Sequence, residues 1–228
     1  MKKPQKMNEI AWICGTMFCA LGVALCTKAN FGLSMIAAPA YIIHIFMENF
    51  FEWYSQGTSE YIWQGILLIV MCIIVRRFKP KYLLTFGCAM IFGFAVDGFL
   101  WLLGGSGTYE SMAVRIIAFI IGETITAVAI ACNFRTSLPL PVYELVVTEI
   151  AKRYNIEVGK VKQINDIVMF AVSIILAFAL NQSIQGIGIG TIVITIVNAP
   201  LIAGFGKLLD KCCDFSPRFP KFVDKIKV

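Results

Sequence analysis

Two carboxylates lie inside apolar stretches of the chain, where ionisable side chains are rare. Asp97 falls within the run 82–103, and Glu123 falls near the middle of the run 112–132. A charged group at the centre of a bilayer costs roughly 2.5–3.5 kcal/mol on insertion scales, so each acid requires a cation, a proton or a wet cavity. Both acids are therefore predicted to couple a proton or cation to another process. The alternative is an interhelical hydrogen bond that serves packing alone.

A second group of polar residues surrounds two short apolar segments, each preceded by an Asn-Phe pair. Ser34 and Ser137 are predicted N-caps, and a helix amino terminus carries free N–H groups and about half a positive charge. If both termini enter the membrane from opposite sides, they form an anion-attracting site, as in transporters with discontinuous helices. The alternative is a pair of amphipathic helices at the membrane surface. The candidate solute-binding residues are Asn30, Ser34, Tyr41, Asn133, Arg135, Ser137, Tyr143 and Asn198.

Residues for enzymatic or metal chemistry form no recognisable pattern. The sequence lacks GxSxG and HExxH motifs and an ATP-binding loop, and His44 is the only histidine. The eight cysteines show no zinc or redox spacing and are expected to be reduced thiols, although Cys212-Cys213 could be lipidated or bind a metal. We therefore predict no catalytic residue, no cofactor and no metal site, and we expect that the protein is not an enzyme.

Composition indicates the surroundings in which these residues are held. Of the 228 residues, 58% are hydrophobic and only 15% are charged, and the mean hydropathy is +0.78. Soluble proteins carry about 25% charged residues, so a soluble globule is excluded. The net charge of +6 comes from Lys and Arg at the ends of apolar runs. This placement is typical of membrane proteins and does not indicate a nucleic-acid partner.

The apolar runs predict the helices that must position these residues. Six stretches are long enough to span a bilayer: 10–27, 61–76, 82–103, 112–132, 165–182 and 187–207. The segments 34–54 and 138–153 are predicted to be re-entrant or interfacial half-helices. This topology places every Lys and Arg except Lys28 and Arg115 on the cytoplasmic side, together with both termini. The acids predicted on the outer face are Glu48, Glu52, Glu60 and Glu110.

The order of these segments repeats along the chain. Residues 10–103 form the series span, half-helix, span, span, and residues 112–207 repeat it at an offset of about 102. NFGLS at 30–34 and NFRTS at 133–137 agree at three of five positions. Because the first unit begins inside and the second outside, we predict an all-α integral membrane protein with an inverted 3+3 repeat. The predicted units are 1–107, 108–210 and a basic cytoplasmic tail at 211–228.

Two stretches carry a family resemblance that covers nearly the whole chain in segment order. GIGIGTIVITIVNAPLIAGFGK at 186–207 resembles the last span of the YitT/YczE-like group of small bacterial membrane proteins, and LGVALCTKANFGLSMIAAPAYII at 21–43 resembles its first span and loop. The segment Ala37-Ala38-Pro39-Ala40-Tyr41 departs from the Pro-Trp-Asp type of sequence found in many members. The resemblance implies a multi-pass protein of the bacterial inner membrane, with transport as the expected role.

These observations favour a secondary transporter of a small polar solute, with alternating access between the two repeats. The alternative is a non-catalytic membrane subunit for assembly or regulation. The predicted partners are the lipid bilayer and an unidentified small molecule or ion, and a homo-oligomer is left open.

Overall fold

The computed structural model describes residues 8–105, 107–180 and 188–217, which contain eight α-helices. In chain order these are α1 (Asn8–Ala29), α2 (Ala38–Glu48), α3 (Gln56–Val75), α4 (Tyr82–Leu102), α5 (Met112–Asn133), α6 (Val142–Tyr154), α7 (Val158–Ala179) and α8 (Ile189–Cys212). The amino-terminal lysines, the junction between the last two predicted spans and most of the basic tail lie outside the described residues.

Five helices are long and apolar enough to cross a membrane, namely α1, α3, α4, α5 and α7. Their outer surfaces carry large exposed apolar side chains, such as Ile73 on α3 and Trp101 on α4, which are 69% and 78% exposed. Such a surface requires lipid rather than water around it. The chain is therefore a multi-pass helical protein of the membrane type. The predicted sixth span, 187–207, coincides with most of the 24-residue helix α8, which is not one of these five.

Helix packing follows a pattern in which the two halves of the chain correspond. Helix α1 packs against α5, and the contacts of α1 with α4 and of α3 with α4 are matched by those of α5 with α8 and of α7 with α8. The short helices exchange partners between halves, since α6 packs against α3 and α2 packs against α7. Exchanging each helix with the one four places later therefore preserves these contacts.

Small residues allow the close approach of α1 and α5. A Cβ atom at Gly22 would lie 2.7 Å from the carbonyl oxygen of Gly122, and one at Gly122 would lie 3.0 Å from the carbonyl oxygen of Gly22. Both distances are too short for a side chain. Glycine at these positions is thus required by the crossing of the two helices.

The two short helices begin later than predicted. Their N-cap positions are Ala37 and Pro141, neither with a side-chain capping bond, so the prediction that Ser34 and Ser137 cap them is wrong. The physical reason is the proline in each segment, because proline is accommodated at the start of a helix, where its missing N–H costs nothing. The Ser34 carbonyl instead accepts the N–H groups of Ala37 and Ala38 in a turn.

Two long helices begin earlier than predicted, and this changes the position of several charged residues. Helix α3 starts at Gln56 rather than 61, with Ser55 as N-cap accepting the N–H of Thr58, and α7 starts at Val158 rather than 165. Glu60 is consequently a helical residue with 0% exposure. Its predicted place among the acids of the outer face is wrong.

Helix α6 is enclosed by its neighbours rather than lying on the protein surface. Val142, Glu144 and Val147 are all at most 3% exposed, and the helix packs against α3, α4 and α7. A surface amphipathic helix would leave its polar face in contact with water. Of the two arrangements considered for 138–153, this burial favours the one in which the short helix enters the protein.

Candidate functional site

The most polar part of the protein interior lies along α3, α6 and α7. Six side chains from these helices, none more than 8% exposed, form what we call the central polar cluster. Helix α6 contacts both α3 and α7, and so does α2. The members of the cluster are Glu60, Gln64, Tyr143, Glu144, Lys162 and Asp166.

On α3 the cluster consists of an acid and an amide one turn apart. The Tyr143 hydroxyl donates a hydrogen bond to Oε2 of Glu60 at 2.7 Å. The other Glu60 oxygen and both polar atoms of the Gln64 amide have no hydrogen-bond partner among the described residues. Buried polar groups are normally hydrogen-bonded, because leaving one unpaired costs about 1–3 kcal/mol. These atoms are therefore the candidate contacts for a polar ligand on α3.

On α7 the cluster consists of a buried ion pair at the same one-turn spacing. Lys162 donates to Oδ1 of Asp166, and both side chains are almost completely shielded from solvent. The second carboxylate oxygen of Asp166 has no partner among the residues described. The pair is thus compensated in charge but retains a free acceptor atom.

Glu144 supplies the third acid of the cluster and lies near the start of α6. Its burial raises the pKa to about 7, while a hydrogen bond with its own backbone and the charge of Lys162 act in the opposite direction. The nearby Asp166 carboxylate adds to the increase. A carboxyl group with this pKa exchanges its proton near neutral pH. Its Oε2 atom has no partner within the described part of the chain.

Members of the cluster occupy equivalent positions in the two halves of the chain. Glu60 and Lys162 are 102 residues apart, and so are Gln64 and Asp166. Each pair stands at the same place in its helix, since Gln56 and Val158 begin α3 and α7 and are also 102 residues apart. One pair of equivalent positions therefore carries an acid and a base, and the other carries an amide and an acid.

A cavity of about 390 Å³ lies next to one member of the cluster. Its lining includes the buried Lys162, the half-buried Arg135 and the exposed Glu157, together with Ala199, Ile202 and Ala203 of α8. Lys162 is the member of the central polar cluster that lines this cavity.

Comparison with known proteins gives one family. Residues 6–207 match the model described as a family of unknown function, DUF6198. The chain belongs to this family. Neither the curated proteins nor the solved structures gave a significant match to it. The resemblance of this DUF6198 protein to YitT/YczE-like proteins stays a prediction.

The structure gives different surroundings to the two acids predicted for coupling in this DUF6198 chain. Asp97 accepts the Ser55 hydroxyl at 2.6 Å and the Gly57 N–H at 2.7 Å, so both of its oxygens bind the amino terminus of α3. This geometry is that of a helix cap supplied by a neighbouring helix. Glu123 accepts a hydrogen bond from the Cys26 thiol, with a sulfur-to-oxygen distance of 3.3 Å. A coupling role for either acid stays a prediction.

Of the predicted solute-binding residues, two are associated with the cluster. Tyr143 belongs to it directly through Glu60, and Arg135 lines the cavity that reaches Lys162. Arg135 also forms a two-pronged ion pair with Asp210 of α8, at 2.5 and 2.7 Å. Its guanidinium group therefore joins the ends of α5 and α8 next to the cavity.

The asparagines predicted for the site have other surroundings. Asn30 is exposed and adopts a left-handed conformation (φ 51°) directly after α1, and its carbonyl accepts from Arg115. Asn133 is fully buried next to Gly15, and its side chain has no hydrogen-bond partner among the described residues. Asn198 is also buried, and its amide nitrogen is unpartnered in the same part of the structure. The asparagines thus do not form one group.

The serines and the second tyrosine are dispersed as well. The backbone N–H of Ser137 donates to the side chain of Asn8, and Ser34 is buried in the turn before α2. The half-buried Tyr41 stands 102 residues before Tyr143, with its ring 6.2 Å from that of His44. Within the described residues, no side-chain hydrogen bond, ion pair or ring contact joins any of these three residues to the central polar cluster.

Five members of the cluster were missed by sequence reasoning. The sequence predicts Glu60 on the outer face and Lys162 on the cytoplasmic side, and it does not single out Gln64, Glu144 or Asp166. A usable signal exists in the 102-residue offset, which aligns Glu60 with Lys162 and Gln64 with Asp166. Polar residues at equivalent helical positions of two repeats are more informative than an isolated acid.

Proposed function

We propose that this DUF6198 protein is a secondary transporter for a small polar solute that carries a cationic group. The observation that supports this most directly is the set of unpartnered polar atoms on Glu60, Gln64, Glu144 and Asp166. All four side chains are at most 3% exposed inside a protein with an apolar exterior. Hydrogen-bond donors on a solute would satisfy the four unpartnered oxygens, and an acceptor on it would satisfy the Gln64 amide nitrogen. Left unpaired, these atoms reduce the stability of the protein.

The charges of the cluster define the class of solute. Lys162 is paired with Asp166, so the acids Glu60 and Glu144 remain to be balanced. An ammonium group is the natural partner for two such carboxyl groups. Lys162 also lines the cavity shared with Arg135 and Glu157. The site therefore suits a zwitterion, whose anionic group would approach the lysine.

The proposed movement is alternating access between two inverted repeats, residues 1–107 and 108–210. The matching contacts of the two halves support this proposal, as does the exchange of α2 and α6 between them. Glu144 is the proposed proton-coupling residue, because it is a buried carboxyl group near Lys162 and its burial favours the protonated form. In this proposal the protein resides in the bacterial inner membrane with both termini in the cytoplasm.

Ligand-induced stabilisation tests the proposed class of solute. Detergent-purified protein would be melted with choline, putrescine, alanine or acetate, as probes for a quaternary ammonium, a diamine, a zwitterion and an anion. We expect at least one of the first three compounds to raise the melting temperature, and we expect acetate to leave it unchanged. Glu60→Gln should abolish the shift, whereas the matched change Glu110→Gln at an exposed acid should retain it.

Transport itself is tested with proteoliposomes and the probe that stabilised the protein. Uptake of labelled probe should depend on a pH gradient in the native protein and lose that dependence in Glu144→Gln. Uptake that remained equally dependent on the gradient in this variant would overturn the coupling role of Glu144. Stabilisation by acetate alone would overturn the cationic class of solute.

A further inference from the structure

A second cavity lies where α3 ends and is unrelated to the central polar cluster. It has a volume of about 390 Å³ and is formed by the end of α3, the connection to α4 and the last turns of α6. We call it the basic cavity, because five of its seven lining residues are Lys or Arg. The residues that line it are Val75, Arg76, Arg77, Lys79, Glu149, Lys152 and Arg153.

The single acid in the basic cavity is already fully engaged. Glu149 accepts the Tyr82 hydroxyl at 2.6 Å, the Lys79 ammonium at 2.9 Å and the Lys152 ammonium at 3.3 Å. Burial alone would raise the pKa of this carboxyl group, but these hydrogen bonds and charges hold the pKa below its usual value. Glu149 therefore remains a carboxylate, and both of its oxygens already accept hydrogen bonds from neighbouring side chains.

The three arginines of the basic cavity lack such compensation. Within the described residues, the guanidinium groups of Arg76, Arg77 and Arg153 form no hydrogen bond or ion pair, and all three side chains are exposed. Arginine presents a planar set of donors that matches the oxygens of a phosphate group. Three of them around one cavity produce a positive field without an internal counter-charge.

The backbone at Arg76 provides an independent reason to attend to this place. Arg76 caps α3 in the left-handed conformation, with φ 53° and ψ 37°. Glycine is the residue that adopts this conformation without strain, and it is the usual choice after a helix. An arginine at this position adds a guanidinium group to the cavity at the expense of local backbone strain.

We propose that the basic cavity binds a phosphate-bearing anion. Val75 is the last residue of the membrane-spanning helix α3, so the cavity lies at the level where a span meets water and lipid headgroups reside. The same chemistry serves two sources, the headgroup of an anionic phospholipid and a soluble phosphate. A cavity of this volume accommodates either group.

Melting curves of the full chain in dodecyl maltoside separate these sources. One arm adds dioleoyl phosphatidylglycerol or dioleoyl phosphatidylcholine to the micelles, and the other adds inorganic phosphate or chloride at equal ionic strength. We expect phosphatidylglycerol to stabilise more than phosphatidylcholine if a lipid is bound. We expect phosphate to stabilise more than chloride if a soluble anion is bound. Equal effects within both pairs would overturn the proposal.

Two variants test whether the arginines hold the anion. Arg76→Gly removes a guanidinium group while relieving the backbone, so the protein should melt no lower than the native chain and bind the anion about tenfold more weakly. Arg77→Gln with Arg153→Gln should weaken binding further. Lys160→Gln, which removes one positive charge from an exposed residue outside the cavity, should retain native affinity.

The comparison between variants also excludes a general effect of charge. An equal loss of affinity in Arg76→Gly and Lys160→Gln would mean that the anion responds to the overall field of the protein and would overturn the site. Native affinity for the anion in the triple variant Arg76→Gly, Arg77→Gln, Arg153→Gln would also overturn the site.

Discussion

Replacing Tyr143 with phenylalanine should destabilise the protein through the loss of one buried hydrogen bond. The Tyr143 hydroxyl donates to Glu60 at 2.7 Å, and the second oxygen of Glu60 has no partner among the described residues. Removal of the hydroxyl would thus leave a fully buried carboxyl group with no hydrogen bond within the described structure. The phenyl ring would retain the apolar packing of the tyrosine.

The expected loss is about 2 kcal/mol in the free energy of unfolding, which is typical of a buried hydrogen bond to an ionisable group. For a chain of this length, 1 kcal/mol corresponds to about 2–4 °C, so the melting temperature should fall by about 4–8 °C. Tyr41→Phe is the matched control, because Tyr41 stands at the equivalent position 102 residues earlier. Its hydroxyl makes no hydrogen bond in the described part of the chain, so the change should cost less than about 0.5 kcal/mol.

Fluorescence-detected melting of detergent-purified protein measures both changes. A double-mutant cycle with Glu60→Leu isolates the interaction, since Tyr143→Phe should cost almost nothing once the carboxyl group is absent. Two results would refute the reasoning. One is an equal effect of Tyr143→Phe and Tyr41→Phe, and the other is an unchanged cost of Tyr143→Phe in the Glu60→Leu background.

Three further predictions concern stability and topology. The pKa of Glu149 in the folded protein is held below its unfolded value of 4.5. Its contribution to the free energy of unfolding is therefore present above pH 4.5 and is lost as the pH falls through the folded pKa. Glu149→Gln should flatten the decline in melting temperature measured from about pH 6 to about pH 3. Gly22→Ala should cost about 1–3 kcal/mol in a melting experiment, whereas Gly87→Ala, whose Cβ has open space, should be neutral or slightly stabilising. A membrane-impermeant maleimide should label the exposed Cys212 in inside-out vesicles and not in intact cells, and the reverse result would contradict cytoplasmic termini.

The length of the apolar runs was sufficient to locate two of the helices that face lipid. The predicted runs 82–103 and 112–132 agree with α4 (Tyr82–Leu102) and α5 (Met112–Asn133) within about one residue at each end. The starts of α3 and α7 were missed because Glu60 and Lys162 make their first turns polar. Glu60 and Lys162 are themselves buried inside the protein, so hydropathy along the chain, which measures compatibility with lipid, does not identify the helical turns around them.

The site was harder to predict for a related reason. The sequence singles out an acid in an apolar run, and Asp97 satisfies that description, yet its partners are the free N–H of Gly57 and the hydroxyl of Ser55. No spacing in the sequence indicates that one helix supplies the cap of another. Tyr143 is among the predicted solute-binding residues, whereas its partner Glu60 is predicted on the outer face. Glu60 stands close in sequence to Trp53, Tyr54 and Trp63, and such aromatic residues are common at membrane interfaces.

The opposite charges at Glu60 and Lys162 have a consequence for the proposed cycle. If the two repeats were identical, the inward-open and outward-open conformations of the proposed transporter would have the same energy. Different charges at equivalent positions remove that degeneracy, so one orientation of the empty protein should be lower in energy than the other. In this proposal the side chains of Glu60 and Lys162 set the preferred orientation. Exchanging them in the double variant Glu60→Lys, Lys162→Glu should reverse it.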